Sequence, residues 1–314
     1  MKIIHQKIQN WYQKYGRHDL PWRNTNEPYY IYLSEIMLQQ TQVKTVLEKY
    51  YFPFIEQFPT LQKLGNAPLS EILKAWEGLG YYNRARNLHK TAAMIEKLPD
   101  KIEILIKLPG IGKNTAHAIA TFAFKQPVPI MEANVKRIIC RLYKIQTPTD
   151  KLLWEHAYAL LDKENSFDYN QAMMDIGATV CMPKNPQCHI CPLENMCLGK
   201  GKPSIYPTKK KRVVPTHEQN ILIHLYDDKL ALRQRSGKFL HGLWGFENIE
   251  APPCAAEYIG DVSHAYTHFK LKCKVYLYYE NFPEKEHYFT PDDIGKLAIS
   301  KVDEKILSLL RKYE

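Results

Sequence analysis

Four cysteines within seventeen residues constrain the fold of this chain more than any other feature of its sequence. Cys181, Cys188, Cys191 and Cys197 follow the pattern C-x6-C-x2-C-x5-C, with Pro and Asn between them. In a reducing compartment, thiols so closely spaced are metal ligands more often than disulfide partners. Zinc is one alternative, because single C-x2-C pairs usually belong to zinc sites. The long x6 and x5 arms favour a wrapped 4Fe-4S cluster, which would fold its own segment into a compact loop.

The charge balance indicates a polyanionic partner. Forty-three Lys and Arg residues against thirty-three Asp and Glu residues give a net charge of +10, and the pI is about 9.0. Such a charge balance favours nucleic acid over a membrane surface as that partner. The chain has no 18-residue apolar run, and its first sixteen residues carry charges and amides at helical spacing, which excludes a signal peptide or membrane span. We therefore expect a cytoplasmic, nucleoid-associated monomer.

Hydrophobic periodicity divides the chain into a helical part and a mixed part. Apolar residues recur at spacings of three and four through the first 200 residues, in segments 31–58, 69–79, 83–98, 133–145 and 152–165. Residues 200–216 are rich in Lys, Gly and Pro and read as an exposed basic linker. Beyond it, two apolar runs flank an Asp-Asp turn, and "HFKLKCKVYLYY" alternates as a half-buried strand does. The sequence predicts a mainly α domain over 1–199 and an α+β domain over 217–314.

A glycine-rich turn precedes one of these helices. In "LPGIGKNTAHAIA", Gly110 and Gly112 form a tight hairpin, and a helix then begins near Asn114. Free backbone N-H groups at such a helix start can hold a DNA phosphate without reading sequence. An ordinary corner in the core is the alternative, but the neighbouring Lys113 and the basic charge favour phosphate binding.

Several motifs in one order resemble a known family. They are "LPWR", "SEIMLQQTQV", "GLGYYNRARNLHK", "LPGIGKNTAHAIA", "NVKRI", "NQAMMDIGA" and the four cysteines. This set resembles the helix-hairpin-helix DNA glycosylases of the endonuclease III superfamily, and specifically the adenine DNA glycosylases. The resemblance implies a six-helix barrel with a 4Fe-4S helical domain, followed by a Nudix-like domain that recognises 8-oxoguanine. It further implies removal of adenine opposite 8-oxoguanine or G in double-stranded DNA by base flipping.

The resemblance also assigns roles around the flipped base. Gln40 and Tyr81 match the positions that fill the gap left in the duplex, although helix packing is the alternative for both. Trp22, Arg23 and Asp175 match pocket residues that stack on adenine and bond its edges. An Arg and an Asp so far apart in the chain could equally form a structural ion pair.

Two carboxylates match the catalytic positions. Glu35 lies among apolar residues in "YLSEIML", where a raised pKa would let it donate a proton to adenine. Glu132 stands where the family has an Asp that stabilises sugar charge, and Asn134 matches a residue supporting the sugar site. The extra methylene moves the charge by about one C-C bond, which can cost on the order of a hundredfold in rate. Altered base or mismatch choice, and a catalytically silent lesion-binding protein, are therefore alternatives to full adenine glycosylase activity.

Two further departures concern strand cutting and lesion recognition. Asn114 occupies the position of the endonuclease III lysine that attacks the sugar, and an amide cannot form a Schiff base, so we expect no strong lyase activity. Tyr266, Thr267 and His268 match the family's lesion-sensing loop, which usually reads "FSH". The acidic helix of Nudix hydrolases is missing from the sequence, so the second domain should bind and not hydrolyse.

Overall fold

The computed structural model describes residues 1–208, 213–279 and 287–313. Part of the predicted basic linker, residues 209–212, lies outside the described residues. Among those described, no helix is both long and apolar enough to cross a bilayer.

Backbone contacts divide the chain into two compact units. The first unit comprises Met1–Tyr51 and Lys90–Lys211, and the second comprises Phe52–His89 and Arg212–Glu314. The grouping of residues 52–89 with the C-terminal segment is not part of the division predicted from the sequence. That division into 1–199, 200–216 and 217–314 remains a prediction.

Helices dominate the first 175 residues. They are α1 (Lys2–Tyr15), α2 (Pro28–Met37), α3 (Val43–Lys49), α4 (Tyr51–Gln57), α5 (Leu61–Asn66), α6 (Leu69–Ala75), α7 (Asn83–Met94), α8 (Ile102–Leu105), α9 (Lys113–Phe124), α10 (Ala133–Leu142), α11 (Asp150–Leu160) and α12 (Ser166–Asp175). Local signals start several of them: Pro28 opens α2, and the Thr149 hydroxyl caps α11 by accepting from the backbone N-H of Leu152.

The structure breaks one predicted helical segment where the sequence has neither Pro nor Gly. Apolar spacing predicts helix through residues 31–58, but α2 ends at Met37 and α3 begins at Val43. Gln40, between them, has a φ of 58°. A left-handed residue interrupts the helical hydrogen-bond ladder, and propensity alone does not predict one at Gln.

Two helix pairs in the first unit position the functional residues described below. Helix α1 packs against α12, and α2 packs against α9. One apolar cluster joins α1, α10, α11 and α12 around Trp11, Ile139 and Met173. Another joins α2 to α9 through Ile31, Ala118 and Phe122. Side chains near residues 35, 114, 132 and 175 therefore come from elements that share a packed interior.

The C-terminal segment of the second unit is built on a mixed sheet. Its strands run in the order β6-β7-β1-β2-β8, with β5 also paired to β1, and β3 and β4 form a separate pair. The bounds are β1 (Thr216–Tyr226), β2 (Lys229–Ala231), β3 (Arg233–Gln234), β4 (Trp244–Gly245), β5 (Glu247–Ile249), β6 (Glu257–Ala265), β7 (Lys270–Tyr278) and β8 (Tyr288–Phe289), followed by helices α13 (Pro291–Lys296) and α14 (Lys301–Tyr313). Helix α14 packs on β6.

Two local predictions in this segment are confirmed. Asp227 and Asp228 form the β1–β2 turn with φ values of 51° and 56°, which a tight hairpin turn requires at both central residues. Strand β7 buries alternate residues from Leu271 onward, as its sequence predicts.

Candidate active site

Two glutamates lie close enough to interact in the first unit. Glu35 is in the last turn of α2, a helix whose residues from Ile31 to Ser34 are all buried. Glu132 is the residue preceding α10, and its side chain does not cap that helix. The carboxylate is thus not used in capping and stands at the positive end of a ten-residue helix dipole. The two carboxyl groups, 97 positions apart in the sequence, interact electrostatically.

Their surroundings assign the proton to Glu35. Burial, followed by the negative charge of Glu132, raises the pKa of Glu35 to about 8, and Arg23 opposes the shift. The pKa of Glu132 is also raised: burial raises it, and the positive charge of Arg17 only partly opposes this rise. Because Glu132 is the charge that raises the pKa of its neighbour, Glu132 ionises first and Glu35 keeps the shared proton. Two buried carboxyl groups with unequal neighbours can divide into a proton donor and a carboxylate, the pairing that glycoside cleavage uses.

Side chains hold the backbone that leads into Glu132. Residues 125–132 belong to no helix or strand, so their polar groups need other partners. Thr121 and Asn170 donate to the carbonyl of Val128 at 3.0 Å. His117 Nδ1 lies 2.8 Å from the carbonyl of Pro129. The N-H groups of residues 130 and 131 are held as well, the first by Asn170 Oδ1 at 2.9 Å and the second by Asn114 Oδ1 at 2.6 Å.

Asp175 is fully engaged with two arginines. It is completely buried, and both Arg17 and Arg23 bind its carboxylate through pairs of guanidinium nitrogens at 2.6–2.8 Å. The backbone N-H of Arg17 donates to it as well, at 2.8 Å. These bonds lower the pKa of Asp175 against its burial. Arg23 and Asp175 thus form the ion pair that is one of the two alternatives given above, and the sequence does not predict that Arg17 joins it.

One donor atom of Arg23 has no acceptor in the part of the chain that the structure describes. Its Nε is buried without a hydrogen-bond partner among the described residues, a costly state unless something else accepts from it. The neighbouring Trp22 is 6% exposed and meets Tyr51 edge to face at 5.1 Å. Trp22 is therefore a core residue in this state, with the Arg23 guanidinium next to it in the chain.

The glycine hairpin has the predicted geometry. Gly110 has a φ of 76°, and Gly112 is the residue directly before α9, which has no side-chain cap. A methyl group on Gly112 would meet nothing within 4 Å, so the space beside this residue is open. Lys113 places its ammonium 4.1 Å over the ring of Trp154, a cation–π contact that directs it along the helix surface.

The two predicted gap-filling residues share an unusual backbone state. Gln40 and Tyr81 have φ values of 58° and 51°, and both side chains are exposed, Tyr81 by 37%. Left-handed backbone at non-glycine residues is strained and concentrates at functional sites. Arg84 supports Tyr81 with its guanidinium 5.4 Å from the ring. Neither residue has the buried position that the packing alternative requires.

The predicted lesion-sensing residues form the turn between β6 and β7. The backbone N-H of Tyr266 donates to the carbonyl of Phe269 at 2.8 Å, and the Tyr266 ring packs edge to face on Phe239 at 5.1 Å. Burial raises the pKa of Tyr266 to about 12. Thr267 and His268 are exposed. The hydroxyl of Thr267 and the imidazole of His268 are thus exposed to solvent, and the packed rings of Tyr266 and Phe239 support the turn.

The four predicted metal ligands line one cavity. Cys181, Cys188, Cys191 and Cys197 all face it, and burial, with the neighbouring thiols, raises the pKa of Cys191 to about 12. In the described ranges, no three His, Cys, Asp or Glu side chains are grouped so as to hold a single metal ion. Arg141 NH1 lies 3.2 Å from Cys181 Sγ, a donor suited to ligand sulfur. This donor set fits a cluster held by four thiolates.

Helix α10 connects the cysteine loop to the acidic pair. Arg137 donates to the carbonyls of Gly177 and Cys181 at 2.6 and 2.8 Å, and to Asn134 Oδ1 at 2.8 Å. The predicted sugar-site residue Asn134 is therefore held by an arginine that also holds the cysteine loop. The motif "NVKR" indicates Arg137, but spacing alone does not indicate its partners.

Comparisons with known proteins identify the superfamily. Residues 33–162 match the HhH-GPD superfamily of base excision DNA repair proteins, and residues 181–197 match the iron-sulfur binding domain of endonuclease III. The fold is similar to that of a thermostable thymine-DNA glycosylase, with a TM-score of 0.59, 30% identity, and coverage of 64% of this chain and 96% of that one. An endonuclease III–DNA complex shares the fold alone, with a TM-score of 0.55, 23% identity, and coverage of 63% and 94%.

These matches confirm two predictions. The mainly α helix-hairpin-helix glycosylase fold is correct, and the cysteines are ligands of a 4Fe-4S cluster, so the zinc alternative is set aside.

Sequence relatives narrow the assignment. The chain is 40% identical to an adenine DNA glycosylase of Buchnera aphidicola over 254 residues, 77% of this chain and 71% of the relative. It is 41% identical to the enzyme of Rattus norvegicus over 222 residues, which cover 63% of this chain and 43% of the relative. With a glycosylase fold, an acid–carboxylate pair and an iron–sulfur loop in place, the chain belongs to the adenine DNA glycosylase family of base excision repair enzymes.

Proposed function

We propose that this protein removes adenine mispaired with 8-oxoguanine, or with G, from double-stranded DNA. The acidic pair carries the proposal: the pKa of Glu35, raised to about 8, keeps a proton on it at neutral pH, and Glu132 lies close enough to contribute to that shift. We propose adenine as the released base because the sequence relatives are adenine DNA glycosylases. A duplex base must be flipped out before it can be reached, and the exposed Gln40 and Tyr81 are suited to fill the gap.

The two carboxyl groups divide the chemistry. Glu35 protonates the flipped adenine, and the N-glycosidic bond breaks with its electron pair going to the base. The sugar is left with oxocarbenium-like positive charge, which the carboxylate of Glu132 stabilises in a site of low dielectric. Water then adds to the sugar carbon, and its proton goes to the carboxylate of Glu35, which is restored to the acid form. Asn134 supports the sugar, and Arg23, whose buried Nε has no partner among the described residues, is proposed to bond the edge of the base.

The enzyme is proposed to be monofunctional. A lyase needs an amine that attacks the sugar carbon. Asn114 has an amide at that position, and its Oδ1 is occupied by the N-H of Met131. Lys113, the nearest lysine in the chain, lies over Trp154. Base release should therefore leave an intact abasic strand.

Recognition of 8-oxoguanine is assigned to the β6–β7 turn. Thr267 keeps the hydroxyl of the family's serine and is exposed beside His268. The supporting observation is the packing of the Tyr266 ring against Phe239, which holds the turn. Residues 217–314 would then be a Nudix-like reading domain behind the basic linker 200–216, and the protein a cytoplasmic, nucleoid-associated monomer.

The cluster has a structural part in this proposal. When bound, the cluster would cross-link the loop that carries the four cysteines. The chain's own residues extend this effect, because Arg137 and Arg141 tie the loop to α10. Glu132 precedes that helix. We assign the cluster no redox chemistry on the base.

Single-turnover base release tests the proposal. Duplexes with A, T or C opposite 8-oxoguanine or G are incubated with excess protein, and abasic sites are revealed by alkali. We expect release of A opposite 8-oxoguanine or opposite G. Release of another base would indicate altered base choice. Tight binding to 8-oxoguanine:A without any release would support a silent lesion-binding protein and overturn the proposed activity.

A further inference from the structure

We propose that Asn114, with His117 and Asn170, positions the Glu132 carboxylate by holding the backbone that precedes it. This inference rests on the proposed function, since it treats Glu132 as the carboxylate that stabilises the sugar. Asn114 is a positioning residue in this account, because it acts on Glu132 through the backbone of Met131.

The segment before Glu132 has its orientation set by side chains. Residues 128–131 belong to no helix or strand, yet each of these four residues has a backbone group bound by a side chain of α9 or α12. Asn170 spans two of them, accepting from residue 130 and donating to residue 128. Such a segment cannot shift along its axis without breaking several bonds together.

Asn114 holds the last bond before the carboxylate. Its Oδ1 accepts the Met131 N-H at 2.6 Å, one residue before Glu132. A lysine ammonium has no acceptor lone pair, so the residue that defines a lyase could not make this bond. The position that supplies the nucleophile in endonuclease III is used here to hold backbone.

The bond also connects the hairpin to the acidic pair. Asn114 is the second residue of α9, directly after the Gly112 turn, and His117 lies one turn further along the same helix. A phosphate bound at the start of α9 would thus hold the helix that orders residues 129 and 131. Because a misplacement of about 1 Å can cost on the order of a hundredfold in rate, losing this restraint should affect chemistry much more than binding.

The test compares variants of one bond in the full-length, cluster-containing protein. Asn114→Leu is close in shape and lacks the acceptor, whereas Asn114→Asp keeps an oxygen for the Met131 N-H. Thr121→Val is the matched control: it removes one buried bond to the carbonyl of Val128, which Asn170 still serves. Asn114→Ala replaces Asn114→Leu if the latter does not fold.

We expect Asn114→Leu to slow single-turnover release of adenine about 10- to 100-fold, with the Kd for a duplex carrying a non-cleavable adenosine analogue changed less than about twofold. Asn114→Asp should recover most of the loss, and Thr121→Val should stay within about threefold of wild type. The alkaline fall of the rate should occur at the same pH in wild type, Asn114→Leu and Thr121→Val, since these changes add no charge beside Glu35.

Two results distinguish the possible failures. If Glu132→Gln is as fast as wild type, the proposed role of Glu132 fails, whatever Asn114 does. If Glu132→Gln is inactive but Asn114→Leu keeps the wild-type rate, or Asn114→Asp is as slow as Asn114→Leu, the positioning inference alone is overturned.

Discussion

The pH dependence of base release should reveal which glutamate holds the proton. The pKa of Glu35 is raised to about 8, first by burial and then by the charge of Glu132. If Glu35 must donate a proton, the rate follows its protonated fraction, which falls from about 0.9 at pH 7 to about 0.1 at pH 9. The rate constant should therefore drop about tenfold across this interval, with one proton involved.

The acid side should respond to the other glutamate. Glu132 must be ionised to stabilise the sugar, and burial raises its pKa above the ordinary value of 4.5. The rate should therefore rise with pH on the acid side and fall near pH 8, which gives a bell-shaped pH–rate profile. Glu132→Asp keeps the charge beside Glu35 and should keep the alkaline fall close to pH 8.

Single-turnover assays at saturating protein and fixed ionic strength, from pH 5 to pH 10, measure this profile. Binding is checked at each pH so that a lost complex is not taken for lost chemistry. A rate that stays flat from pH 7 to pH 9.5 with the complex intact would refute the assignment of Glu35 as proton donor.

The same shift predicts a stability effect with a definite sign. A carboxyl group whose pKa is higher in the folded protein contributes stability that is complete below its unfolded pKa and is lost as pH rises through the folded pKa. For Glu35 this window runs from 4.5 to about 8. Glu35→Gln is neutral throughout, so its free energy of unfolding relative to wild type should increase from pH 5 to pH 9 in urea titrations.

Four further predictions follow from the site. Glu132→Asp should keep or raise the rate and Glu132→Gln should abolish it with DNA binding retained; equal rates for wild type and Glu132→Gln would make Glu132 a bystander. The purified protein should be yellow-brown with about four irons per chain, and a colourless protein with one zinc would contradict the cluster. Borohydride should trap little covalent DNA adduct, because Asn114 has no nucleophilic amine, and efficient trapping abolished by Lys113→Gln would assign lyase activity to Lys113. Asp175→Asn should lower the free energy of unfolding by about 3–5 kcal/mol in urea, as loss of a buried partner does, and a change below about 1 kcal/mol would show that the arginines find other partners.

Local features of this protein could be predicted from the sequence. The turn at Asp227 and Asp228 and the alternation in β7 depend on residues next to each other, and both are as predicted. The spacing of the cysteines restricts their loop in the same way, although the family match was needed to choose a cluster over zinc. The carboxylates of Glu35 and Glu132 were identified through the resemblance, because a single glutamate in an apolar helix is not distinctive.

The tertiary structure alone decided the partners of these residues. Arg17 binds Asp175 across 158 positions, and Asn170 holds residue 130 across 40, and neither pair leaves a periodic signal in the chain. Gln40 interrupts a strong helical pattern. Hydrophobic period and turn chemistry act over a few residues, whereas burial, which raises the pKa of Glu35, depends on α2 and α9 packing together. A carboxyl group acquires its proton affinity from that packed surrounding, so its role as an acid is a property of the fold.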